Sequence, residues 1–108
     1  MTDKRIVLST AGSEQEARRI AQHLLVNRLA ACVNIVPGVE SIYLWQGKIE
    51  SGREWLILIK TTADLCSSVQ EAIATLHSYE VPECVVLTVE DGSADYLGWI
   101  ENSVRGDS

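Results

Sequence analysis

The feature that most constrains this chain is a pair of strand-like runs too long for the rest of it. From Ala30 to Trp45 the sequence carries Val33, Ile35, Val39, Ile42, Tyr43 and Leu44, broken only by Pro37-Gly38, and from Lys48 to Thr62 it is strand-like again. Gln46-Gly47 separates the two. Glycine at the second position of a two-residue loop supplies the positive φ that a tight hairpin needs, so the spacing predicts a hairpin with Trp45 opposite Lys48. Its arms far exceed the usual strand of roughly five or six residues, and a small sheet covers only their inner part. The outer part carries Tyr43, Leu44, Trp45, Ile49 and Trp55. A protruding apolar ribbon with unpaired edges is tolerated chiefly where another chain pairs with it, which predicts a homo-oligomer. Proline has no N–H to give a ladder, so Pro37-Gly38 marks an edge or bulge that bends the first arm.

The remaining chain supplies a sheet and its cover. Arg5 to Thr10 is a β-branched run ended by Ala11-Gly12, a strand and a turn. Ser13 and Glu16 have capping-box spacing, and Ala17, Ile20, Ala21, Leu24 and Leu25 recur at helical intervals, which predicts a helix running to about Asn27. Asp64 is the expected N-cap of a second helix with Leu65, Val69, Ala72, Ile73 and Leu76 turned inward, ending near His77-Ser78. Pro82 bars a helix through Tyr79 to Glu83, and Cys84 to Val89 reads as a fourth strand. After a turn at Asp91-Gly92, Ser93 caps a final helix bearing Tyr96, Leu97, Trp99, Ile100 and Val104, with Arg105 to Ser108 expected to fray. The order β-α-β-β-α-β plus a terminal helix predicts an α+β, ferredoxin-like βαββαβ sandwich with a long hairpin between its second and third strands. Helices one and two cover one face of an antiparallel sheet; the third helix and neighbouring subunits are the cover available to the other.

At 108 residues with a hydrophobic fraction of 46%, the chain is expected to be one domain spanning 1–108. Nine Lys and Arg stand against fifteen acids, for a net charge of −6. Nucleic-acid binding leans on basic residues that displace counterions from phosphates, so neither nucleic acid nor an anionic membrane is an expected partner. The acidic excess itself is an ordinary solubility device. Met1 to Ile6 leads straight into a strand without an apolar leader, and no apolar run reaches membrane-spanning length, so the expected location is cytoplasmic. Cys32, Cys66 and Cys84 are odd in number, widely spaced and without C-x-x-C. They read as small buried hydrophobes rather than a disulfide framework or a zinc knuckle.

Nucleophilic catalysis needs a base beside Ser or Cys, and the chain offers only His23, on the polar side of the first helix, and His77. No enzyme is expected. Ala11-Gly12-Ser13 matches neither phosphate-loop pattern, and no arginine stands between Ser9 and Ser13 to hold a phosphate. His77 closes the second helix beside Tyr79-Glu80-Val81-Pro82-Glu83, which places an imidazole, a phenol and carboxylates within a few residues. Two roles fit: a hydrogen-bonding histidine at a helix C-terminus, or a copper or zinc ligand whose companions come from another strand or subunit. Glu50, Glu54 and Lys60 share one strand face by even spacing, as a solvated face, an ion pair or the floor of a polar pocket. Trp45, Trp55 and Trp99 read as core or interface anchors, ahead of rings on which a ligand stacks.

Several stretches then come together: Arg28-Leu-Ala-Ala-Cys-Val-Asn34, Tyr43-Leu-Trp-Gln-Gly-Lys48, Leu58-Ile-Lys-Thr-Thr62, His77-Ser-Tyr-Glu-Val-Pro-Glu83 and Tyr96-Leu-Gly-Trp99. In order, and across nearly the whole chain, they resemble CutA, the divalent-cation-tolerance family. The resemblance implies a homotrimer of ferredoxin-like subunits, similar in architecture to the PII signalling proteins, with the hairpins packed across subunits. It also implies a role in tolerance to copper and other divalent cations, no required cofactor, and a cleft between subunits lined by Cys32, Trp45, Lys60, His77, Tyr79 and Glu83. Copper-binding members are similar in having a cysteine near the end of the first strand and two adjacent histidines at the end of the second helix. Here those positions read Ser9 and Leu76-His77. A hydroxyl is a poor substitute for thiolate toward copper and leucine has no donor, so only His77 carries over as a metal ligand. Three functions follow from the resemblance: a metal-tolerance trimer binding Cu²⁺ or another divalent cation, a PII-like trimer sensing a small ligand in the inter-subunit cleft, and a structural anchoring trimer.

Overall fold

Residues 1–106 are described by a computed structural model. Its elements are β1 (Lys4–Ala11), α1 (Glu14–Val26), β2 (Cys32–Trp45), β3 (Lys48–Thr62), a 3-10 turn (Ala63–Leu65), α2 (Cys66–Leu76), β4 (Val85–Thr88) and α3 (Ala94–Arg105). The strands form one antiparallel sheet in the order β2-β3-β1-β4, the expected ferredoxin-like arrangement.

Strand alternation divides the sheet into two faces. Val7 and Ala11 pair with Ile59 and Trp55, and Val33 and Ile35 continue that row on β2. Ile20 and Leu24 of α1 and Val69 and Ile73 of α2 join this row in the core. Ile20, Leu24, Ile57, Ile59 and Ile73 are fully buried, each contributing roughly 1.5–3 kcal/mol of transfer free energy. The opposite row, with Ile6, Leu8, Leu56, Leu58, Val85 and Leu87, is covered only at its Lys4 end. There α3 buries Ile100 and Val104. Lys4 Nζ donates to Glu101 at 3.2 Å, and Arg28 Nη1 donates to the Ser103 carbonyl at 3.0 Å.

The hairpin has the expected register, with Trp45 opposite Lys48. Both loop residues are left-handed, Gln46 at φ 52° and Gly47 at φ 79°, which matches the twist of the arms. The ladder shifts between Val36 and Val39, so Pro37-Gly38 is the bulge, with Gly38 at φ 73°. Beyond it the two arms run on alone, which makes the subunit 45 Å long and only 26 × 23 Å across.

Local details depart from expectation where tertiary partners win. Ser13 Oγ accepts from the Glu16 N–H at 3.1 Å, but the Glu16 carboxylate does not complete a capping box. It is occupied by Ser78 and Arg19 instead. Asp64 does not cap α2: it accepts the Thr62 hydroxyl at 2.6 Å and pairs with Arg105 at 3.2 Å. Those contacts, the Thr62 bond foremost, hold its carboxyl below the usual carboxylate range. Leu25 lies 41% exposed rather than in the inward stripe. The regular ladder of β4 with β1 runs from Val85 to Thr88, shorter than Cys84 to Val89, and one further bond, from the Val89 N–H to the Lys4 carbonyl at 3.2 Å, continues it. Arg105 is helical, held by Asp64 and Glu101, so it does not fray; positions 107–108 lie outside the described residues. All three cysteines are free thiols, Cys66 buried and Cys32 and Cys84 half-buried.

Candidate functional site

β1 ends at Ala11, opposite Trp55, while β3 continues outward into the ribbon. The loop after α2 occupies the flank of β3 that β1 leaves open. His77 closes α2, its N–H donating to the Ile73 carbonyl at 2.9 Å, and its ring turns inward to 9% exposure. Nδ1 accepts the Tyr79 N–H at 3.0 Å, so the ring proton sits on Nε2 and is donated to the Thr10 carbonyl, 2.5 Å away. Both nitrogens are engaged. Glu16 lies beside this ring, with Oε1 3.4 Å from Nδ1 and accepting the Ser78 hydroxyl at 3.1 Å.

Tyr79 follows at once, its ring centroid 4.5 Å from that of His77. Its hydroxyl donates to Glu54 Oε2 at 2.6 Å. Gly12 makes room for it, since a Cβ there would stand 3.0 Å from the phenol oxygen. Burial, and after it the hydrogen bond to Glu54, push the Tyr79 phenol well above its ordinary range, which keeps it a donor. Because the folded pKa exceeds the unfolded value of about 10, the folded state retains a proton that the unfolded state loses. The stability carried by this bond is therefore complete below about pH 10 and falls as pH rises further. Urea unfolding midpoints measured from about pH 8 to 11 are expected to fall more steeply for the parent than for Tyr79→Phe; parallel curves would mean that the phenol is not held by Glu54.

Over Tyr79 opens a cleft of about 640 Å³, lined by Thr10, Ser41, Tyr43, Trp45, Glu54, Tyr79 and the 80–83 loop. Val39 faces Glu54, Ser41 faces Gly52, Tyr43 faces Glu50 and Trp45 faces Lys48, so both hairpin aromatics share the ribbon face of Glu54. Of the residues expected at a cleft, Trp45, Tyr79 and Glu83 line it, with His77 beneath. Cys32 and Lys60 do not join them within one subunit. They pair across β2 and β3, where Lys60 Nζ donates to Asn34 Oδ1 and the Cys32 thiol lies 3.8 Å from the same oxygen. Glu54 is no solvated strand residue: it is 9% exposed and floors the cleft. Thr10, Gly12, Glu16 and Tyr43 belong to the site without having been singled out for it. The one signal for Glu16 was a helix-capping position, which accounts for its presence without any site.

Among the described residues no group of three or more His, Cys, Asp and Glu side chains is placed to hold a metal ion. Ser9 Oγ is buried without a partner in the core, and His77 has no free nitrogen. The donors of a single subunit therefore do not fit a copper site.

A family model for the CutA1 divalent ion tolerance protein matches residues 5–103. The chain belongs to this family. The divalent-cation tolerance protein CutA of Thermus thermophilus is 47% identical over 98 residues, which cover 91% of this chain and 95% of that protein. CutA from Xylella fastidiosa has the same fold, with a TM-score of 0.93 at 38% identity over 95% of this chain and 99% of that one. The chloroplastic CutA 1 of Oryza sativa is 40% identical over 100 residues, only 56% of its own length. The family model and the Thermus thermophilus relative are both described by tolerance to divalent ions. No helix among the described residues is long and apolar enough to cross a membrane.

Proposed function

We propose that this CutA chain acts as a homotrimer in tolerance to divalent cations, copper among them, without catalysing a reaction. One observation supports the assembly most: Ile42, Leu44 and Ile49 on the ribbon are 68%, 75% and 76% exposed in the single subunit. Contiguous apolar surface of this kind marks an interaction site, and obligate homo-oligomers bury it. The threefold order is the one the CutA resemblance implies. Since one subunit gathers no metal-ligand set, the cation is shared between subunits, with the Cys32 thiol of one chain and the Glu83 carboxylate of another as donors. In this reading His77 positions Tyr79 rather than binding metal itself. Three unpaired thiols suit a reducing compartment, and we place the protein in the cytoplasm.

The cleft favours a second reading, a PII-like sensor of a small ligand, because its volume of about 640 Å³ lies in the range of small-molecule sites. Native mass spectrometry during titration with Cu²⁺ and Zn²⁺ separates the two. A trimer whose metal uptake is lost in Cys32→Ser or Glu83→Gln supports the first. A monomer overturns it, and a trimer that takes up no metal favours the sensor.

A further inference from the structure

We infer that the cleft over Tyr79 is a binding site for a small organic ammonium ion, held by aromatic faces and carboxylates. This deepens the small-ligand reading and does not depend on metal uptake.

The lining carries three aromatic rings, Tyr43, Trp45 and Tyr79, three carboxylates, Glu54, Glu80 and Glu83, and no Lys or Arg. Within one subunit an anion meets no basic residue of the lining; the nearest by register, Lys48, pairs with Trp45 outside it. A neutral apolar ligand would have to desolvate carboxylates without compensating them, which is costly. Glu54 points to a cation directly. It is 9% exposed, Oε2 accepts the Tyr79 hydroxyl, and Oε1 accepts no hydrogen bond from the described residues. A carboxylate so placed is stabilised by a positive group coming within reach of its free oxygen.

The kind of cation follows from the spacing of the donors. A divalent metal needs several oxygen, nitrogen or sulfur atoms converging at about 2.0–2.6 Å; the described residues of one subunit bring no such group together, so a metal would have to draw donors from a neighbouring chain and an ammonium would not. An ammonium carried on carbon spreads its charge over a larger surface and needs no such convergence. It is attracted to the faces of Trp and Tyr within about 6 Å, an attraction that strengthens where water is excluded. The cleft, at about 640 Å³, is also far larger than a bare ion requires. Rings and carboxylates on one wall set are the combination that recognises an organic ammonium.

The test is isothermal titration calorimetry on the full chain in its purified oligomeric state. The probes are tetramethylammonium, choline and butylammonium, with 3,3-dimethylbutan-1-ol as the uncharged isostere of choline. At least one ammonium is expected to bind with a dissociation constant below about 10 mM. The isostere is expected to bind at least about tenfold more weakly than choline. Trp45→Leu and Glu83→Gln should each weaken ammonium binding by about tenfold, whereas Trp45→Tyr, which keeps a ring face, should largely retain it. Sedimentation of the same samples reports whether a variant has kept its assembly. The inference is overturned if no ammonium binds, if the isostere binds as well as choline, or if assembled Trp45→Leu and Glu83→Gln both bind like the parent. A trimer that takes up metal and no ammonium leaves the metal reading standing, and one that binds ammonium and no metal leaves this inference standing alone.

Discussion

His77→Ala is expected to lower the stability of the metal-free protein by about 3–5 kcal/mol. The imidazole donates to the carbonyl of Thr10, itself 6% exposed, and accepts the Tyr79 N–H, so its removal orphans a buried acceptor and a donor together. Each orphaned group costs about 1–3 kcal/mol, and the missing ring leaves a cavity against Tyr79 in addition. A loss of this size is a large part of the roughly 5–15 kcal/mol by which a domain is stable. His77→Gln, whose amide offers one donor and one acceptor, should recover part of it. Urea unfolding at fixed subunit concentration measures both variants, the fixed concentration removing the contribution of assembly. A histidine kept free for a metal would behave otherwise, since replacing an unconstrained polar group changes stability by less than about 0.5 kcal/mol. Alanine at that small cost would show that the ring does not hold the loop.

The same contacts show which parts of the site were legible in the sequence. The hairpin, its register and its bulge follow from a period of two, a Gln46-Gly47 loop and a proline, all of which act over a few residues. The two sheet faces follow from that period as well. Nothing local announces that Tyr79 will meet Glu54, 25 positions away, or that His77 will meet Thr10, 67 positions away. Glu54 could be assigned to a face, but whether that face was wet depended on a loop whose return path only the fold decides. Glu16 and Asp64 do not cap for one reason: each carboxylate is taken by partners from other elements, Ser78 for Glu16 and Thr62 with Arg105 for Asp64. The family motifs carried Cys32 and Lys60 toward the cleft, yet in the subunit they stand on the inner half of the hairpin. Sequence order cannot say whether two motif residues meet within one chain or between two.

Leu44→Glu combined with Ile49→Lys is expected to dissociate the proposed trimer while leaving the subunit folded. Leu44 and Ile49 face each other across the ladder and are 75% and 76% exposed, so neither contributes much to the single subunit. Opposite charges directly across an antiparallel pair contribute roughly 0.2–1 kcal/mol, which keeps the hairpin in register. In an assembly that buries the ribbon, the two substitutions forfeit about 1.5–3 kcal/mol of apolar burial each and bring charges into an apolar contact. At about 1.4 kcal/mol per factor of ten, each interface weakens by at least a hundredfold. Sedimentation velocity at micromolar subunit concentration should then show a monomer whose circular dichroism matches that of the parent. Unaltered assembly would move the interface off the ribbon to another uncovered apolar surface, such as the sheet face around Val85 and Leu87, which are 46% and 44% exposed. A ribbon that leaves Leu44 and Ile49 75% and 76% exposed would then need some other chain to cover it, because a long unpaired edge in water invites pairing that the fold itself does not direct.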